Sequence, residues 1–185
     1  HKIHAIYQSC WGQGMKKLIV LVGFVFLISC GSGGGGGGGS SSNIPVNESG
    51  FPDVAGRYTY IRESTTFTCT AGGESASETV PASSANIYIT QTGNKLQFDS
   101  DDVAFAGASI VEKGDSVGYV QKDGSFTGSS SSVISYESFG YVDSLEMLTG
   151  RFTATGWSGT NSMTFFYRSY NMSCKASASV SGDKF

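Results

Sequence analysis

Chemistry needs side chains that carry protons, charge or metal, and in these 185 residues such side chains are few and scattered. The densest acid cluster is Asp99-Ser100-Asp101-Asp102. Calcium favours several oxygen ligands in a short loop, but a full twelve-residue calcium loop with its central Gly and closing Glu is missing, so a solvated turn is expected. Ser129-Ser130-Ser131-Ser132 offers hydroxyls without a base: both histidines, His1 and His4, lie at the start of the chain, and no Ser-x-x-Lys spacing occurs at the serine run. That run is expected to be a linker or a polar strand edge. Carboxylate pairs such as Glu137 with Asp143, or Glu74 with Glu78, have the groups for glycosidase acid and base work only if a fold sets them across a cleft. No catalytic residue, metal site or cofactor is expected from these patterns.

Three cysteines have a clearer meaning. Met15-Lys16-Lys17, the mostly apolar run Leu18 to Ile28 and Ser29-Cys30 form a basic n-region and an h-region too short to span a bilayer, as in a secretory signal peptide. Leu27-Ile28-Ser29-Cys30 resembles the lipobox of bacterial lipoproteins, which implies cleavage before Cys30 and acylation of its thiol. Residues 15–29 are then the signal peptide, and 1–14 are expected to be upstream sequence outside the true start. Residues 30–50 are the acylated cysteine with a Gly/Ser-rich tether whose seven consecutive glycines, Gly33 to Gly39, have no side chains to bury. Gly31 after the cysteine goes with outer-membrane delivery in the lipoproteins this resembles, so a cell-envelope location with the membrane as partner is expected. In an oxidising compartment, Cys69 and Cys174 are expected to pair. A bond between first and last strands would fit a sheet that closes on itself.

Formal charge is -3, and removing 1–29 takes Lys2, Lys16 and Lys17, leaving 9 basic against 15 acidic residues. Such a domain has no basic block to follow phosphates, and nucleic acid is excluded as a partner.

The elements that must position everything else lie in 51–185. Short runs of Thr, Tyr, Phe, Val and Ile alternate with Gly, Ser, Asn and Asp clusters, and no helical repeat runs for three turns. The class is all-β, with eight to ten strands in a single antiparallel up-and-down barrel or a two-sheet sandwich. Strands are expected at 57–62, 86–91, 95–99, 103–111, 116–121, 125–127, 133–142, 148–157, 163–170 and 173–180. Thr92-Gly93-Asn94, Lys122-Asp123-Gly124, Asp143-Ser144, Gly159-Thr160-Asn161 and Asn171 are read as turns, and 143–147 as a possible helical turn. Gly56-Arg57-Tyr58 resembles the opening of lipocalin-like barrels, which implies that the Tyr58 ring plugs the barrel base. Aromatic side chains are the enriched type, and Tyr58, Tyr88, Phe98, Tyr119 and Trp157 are the candidate ligand-binding residues. The expected function is non-enzymatic binding of a small apolar ligand, a glycan or an envelope partner. A ligand-free structural lipoprotein and a carboxylate-only hydrolase are the alternatives.

Overall fold

A computed structural model describes residues 44–100, 108–136 and 140–185. Cys30, the expected signal segment, most of the expected tether, Asp101, Asp102 and Glu137 lie outside them. Eleven strands alternate along the chain: β1 (Gly56–Arg62), β2 (Thr65–Ala71), β3 (Glu74–Val80), β4 (Ser83–Thr92), β5 (Lys95–Ser100), β6 (Ala108–Lys113), β7 (Val117–Val120), β8 (Ser125–Tyr136), β9 (Gly140–Phe152), β10 (Gly156–Tyr167) and β11 (Met172–Asp183). The fold is all-β.

Eight of them, in the order β1-β4-β5-β7-β8-β9-β10-β11, form a closed antiparallel barrel, because Ile61 and Arg62 of β1 pair with Ser181 and Val180 of β11. Of the two expected architectures, the barrel is the observed one. The remaining strands prolong it. β1 and β2 ascend on one edge of β11, interrupted at Glu63-Ser64, and β3 and β4 descend beside them, interrupted at Pro81-Ala82. Proline has no N–H for a ladder, which suits it to such a break. Between β2 and β3 the chain reverses at Gly72-Gly73, both at positive φ, as a two-residue hairpin turn requires. β6 pairs with the upper part of β8 and β7 with its lower part. The upper half therefore runs β3-β2-β11-β10-β9-β8-β6, and β3 and β6 each have one strand partner among the described residues.

Two apolar cores fill the two halves. The lower core is a stack of rings: Phe126 and Phe152 centroids lie 4.5 Å apart, and the Trp157 ring meets Phe126 edge-on at 5.9 Å. Phe98 lies over Gly118 and Gly128, where a Cβ would come within 2.7 and 2.9 Å of its ring. The glycines make room for a ring on the opposite strand. Tyr58 closes this end, buried, with its hydroxyl donating to the Val54 carbonyl at 2.9 Å, where the sequence expectation placed it. The upper core gathers Phe67, Val80, Ile134, Val142, Met163, Phe165 and Tyr167 around the bond between Cys69 and Cys174, which face each other on β2 and β11.

Several sequence readings are corrected. Cys69 belongs to β2, above the closed ring, so the disulfide secures the upper half and the barrel closes by β1–β11 hydrogen bonding. Asp143-Ser144 and Gly159-Thr160-Asn161 are interior positions of β9 and β10, and 143–147 is strand. Each expected strand at 133–142 and 148–157 spans the end of one strand and the start of the next. The serine run lies inside β8, paired along its length with β9, while on the other side only Ser129 and Ser132 have strand partners, on β7 and β6, so it is not a linker. Residues 44–50, expected as the end of a tether, make ordered contacts with the barrel. Ile44 packs on the lower core, and Asn47 Oδ1 accepts from the Ser49 and Phe51 N–H groups while its amide donates to the Gly93 carbonyl at 2.9 Å.

Candidate functional site

Inward positions on β9 run Val142, Ser144, Glu146, Leu148, Gly150 and Phe152. On β10 they run Trp157, Gly159, Asn161, Met163, Phe165 and Tyr167, in the period-two alternation of a strand. Between the ring stack and the upper core this alternation brings polar side chains inward. Glu146 stands opposite Met163 and Ser130, and Asn161 opposite Leu148 and Ala178. β1 adds Tyr60 and Arg62 at the same level.

These side chains form a connected group. Asn161 Nδ2 donates to Tyr60 Oη at 2.8 Å and to Glu146 Oε2 at 3.0 Å. Asn161 is 2% exposed, and its Oδ1 has no hydrogen-bond partner among the described residues. A buried amide oxygen without a donor costs about 1–3 kcal/mol, a cost that a ligand bringing an N–H or O–H would remove. Trp157 Nε1, in the buried ring 5.8 Å from Tyr60, also lacks a partner there. Arg62 is fully buried and donates from Nη2 to the Pro81 carbonyl at 3.0 Å, which holds its guanidinium to the β3–β4 junction.

Burial sets the electrostatics. It raises the Glu146 carboxyl above the ordinary glutamate range, against the opposing effects of the Asn161 hydrogen bond and the Arg62 charge. Burial likewise raises the Tyr60 hydroxyl, with the nearby Glu146 charge adding to it, so Tyr60 remains a neutral donor and acceptor. Tyr58 is pushed up to about 12 by burial and by Asp53. The belt still meets water: Tyr60, Ile87, Phe98, Ser130, Glu146 and Leu148 are only half-buried. A polar group with apolar walls, partly wetted, is the composition of a small-molecule site.

The proposed ligand residues divide. Tyr58, Phe98 and Trp157 face the interior, Tyr58 as plug, Trp157 in the ring stack, and Phe98 half-buried at its upper edge. Tyr88 and Tyr119 do not join them. They alternate with inward residues and lie on the outer wall, 38% and 47% exposed. Tyr60, Arg62, Glu146 and Asn161 were missed, though phasing Asn161 with Trp157 and Glu146 with Phe152 would have placed both inside.

The other sequence candidates gather no chemistry. Asp99 pairs with Lys113 at the surface at 3.5 Å. No group of three metal-ligating side chains occurs among the described residues. Asp143 is on the outer wall, where Arg168 Nε donates to it at 2.8 Å and holds its carboxyl below the usual range. It borders a shallow depression of about 380 Å³ flanked by Val133, Leu145 and Phe166. Glu74 and Glu78 follow one another on β3, away from any facing acid pair, and the groups that shift Glu146 include no second carboxylate.

Comparison with protein-family models, with curated proteins and with solved structures found no match to this chain.

Proposed function

We propose that this chain is a lipid-anchored protein of the bacterial cell envelope that binds a small molecule inside its barrel without transforming it. The observation that carries the reading is the buried, unpartnered Asn161 Oδ1, held by Tyr60 and Glu146 in a half-wetted layer between two apolar cores. Its complement is a compact, mostly apolar molecule with a hydrogen-bond donor: Ile87, Phe98 and Leu148 supply the apolar wall, while Asn161 Oδ1 and the Glu146 carboxylate accept. Among the described residues the belt holds one carboxylate beside an amide, without the second acid or base that glycoside hydrolysis uses, which favours binding over catalysis. Cys30, as the acylated residue, supplies the anchor in this reading.

The test uses N-phenyl-1-naphthylamine, an apolar fluorophore with one N–H donor, titrated into the full chain. Saturable enhancement at one site per chain is expected, weakened more than tenfold in Asn161→Leu and in Leu148→Trp, and unchanged in Leu145→Ser on the outer wall. Enhancement that never saturates, or that survives Leu148→Trp undiminished, would refute an interior site. For the anchor, labelled palmitate should enter the parent and not Cys30→Ser.

A further inference from the structure

Four exposed apolar side chains, Tyr141, Leu145 and Met147 of β9 and Phe166 of β10, share one stretch of the outer wall in the upper half. Pairing sets Val133 of β8 and Phe166 on either side of Asp143. Ser131 and Thr164 flank Leu145, and Ser129 and Ser162 flank Met147. Short hydroxyl side chains thus surround the larger apolar ones and let another surface approach them closely. The depression of about 380 Å³ among Val133, Leu145 and Phe166 belongs to this wall. An apolar patch with a recess and a polar border has the composition of a protein contact.

Charge on the wall is balanced, and it is divided between two margins. Asp143 at the centre is held by Arg168, whose Nε donates to it at 2.8 Å and whose guanidinium lies 5.8 Å from the Tyr141 ring. A paired carboxylate costs less to cover than a lone one. Glu112 and Lys175 have no ion-pair partner among the described residues. Glu112 is on β6, opposite Val133, and Lys175 is on β11, opposite Thr164. In the order β6-β8-β9-β10-β11 each stands two strands from β9, about 10 Å at ordinary strand spacing. With Glu112 and Asp143 against Arg168 and Lys175, the wall has no net charge to attract a strongly charged partner, and its acidic margin matches its own basic one.

We infer that this wall is the interface of a symmetric homodimer, with a second copy of the chain lying face to face on the first. A two-fold axis in the interface along β9 lays β8 of one copy over β10 of the other, and β6 over β11. Val133 then meets Phe166, and Leu145 and Met147 meet their own counterparts at the axis. Glu112 comes opposite β11 of the other copy, two residues along from Lys175, an offset of about 7 Å that the lysine stem spans. The same pair recurs at the other margin. From Tyr141 to Met147 the wall is about 20 Å long, and from β6 to β11 about 19 Å wide, so about 400 Å² is covered on each copy. A total near 800 Å² is below the roughly 1,200 Å² of a stable complex and defines a weak, reversible dimer. The inference depends on neither the interior ligand site nor the anchor.

The test uses full-length Cys30→Ser protein, so that no acyl chain can drive association. Sedimentation velocity from about 10 μM to about 1 mM should show a monomer–dimer equilibrium with its midpoint in that range. Leu145→Asp should weaken it more than tenfold, because association would bury the new carboxylate unpaired. Tyr119→Ser, at an exposed ring outside the wall, should leave it unchanged. Glu112→Lys alone and Lys175→Glu alone should each weaken the dimer about fivefold by setting like charges together at both margins. Mixing these two variants in equal amounts should restore the parental affinity, because both margins then pair opposite charges. Restoration on mixing separates lost charge pairing from misfolding, which mixing would not repair. Absence of self-association up to about 1 mM overturns the proposal, as does growth beyond the dimer, a Leu145→Asp dimer as tight as the parent's, or a mixture no tighter than its components.

Discussion

The lower and upper halves of the barrel solve the same problem by different means. Below, eight strands close through continuous pairing, and the interior is rings set on glycines, with no covalent tie. Above, β3 and β6 each have one strand partner among the described residues, and the upper core is gathered round a disulfide. Closure of the sheet and a covalent bond act as alternative ways to restrict the chain. The polar belt lies at the junction, and there neither device supplies a partner for Asn161 Oδ1. Apolar packing is concentrated in the two cores, and the unpartnered amide oxygen is left between them.

Removing the disulfide is the most severe way to break this comparison. It closes a loop of 105 residues, for which chain entropy gives about 4–5 kcal/mol. Cys69→Ala with Cys174→Ala should lower the unfolding free energy by about that amount in urea titration. Hydrogen exchange should show the loss first in β2, β3 and β6, while β5 and β7 in the closed lower ring keep more protection. Uniform loss across both halves would show that the staple supports the whole barrel.

Phe126→Ala attacks the other half. Phe126 is 3% exposed and touches Phe98, Phe152 and Trp157, and truncating a buried phenylalanine costs about 3–5 kcal/mol. The lost stability should appear in denaturant titration with little change in probe affinity, because the belt lies a layer above. An affinity loss as large as that of Asn161→Leu would merge core and site into one unit.

How far the sequence could be read follows the same division. The class, the Asp123-Gly124 hairpin and the cysteine pair were legible because each rests on apolar alternation, local turn chemistry or an even cysteine count, while the buried place of Tyr58 was expected only from its resemblance to a lipocalin-like opening. On β10 Phe165 and Tyr167 face inward and Phe166 outward. The belt was not legible. Ser144, Gly159 and Asn161 have the residue types that mark turns, so they were read as breaks, splitting β9 and β10 and hiding Glu146 between them. Tyr88 and Tyr119 were misassigned for the complementary reason: an aromatic side chain in a strand gives no sign of its face until the register is known. Polarity inside a barrel and polarity at a turn look alike in one sequence, and local propensity fails where the candidate site is.

The mildest test changes one atom type in the belt. Burial raises the Glu146 carboxyl in the folded protein above its ordinary value near 4.5, with Asn161 and Arg62 opposing. A carboxyl raised on folding contributes stability that is fully present below its unfolded pKa and fades as pH climbs through the folded one. Asp123 and Asp143 are shifted downward, by Ser125 and Arg168 respectively, and therefore act in the opposite direction. They are the same in parent and Glu146→Gln, so the difference between the two curves isolates Glu146. At pH 4 the two proteins should match within about 1 kcal/mol, since glutamine keeps an acceptor for the Asn161 amide. As pH rises toward 7 the parent should lose stability relative to the variant, a gap read from urea midpoints at each pH. A parallel pair of curves would mean that the carboxylate is solvated well enough to ionise freely, and the belt would then be a wet channel instead of a site that a ligand must complete.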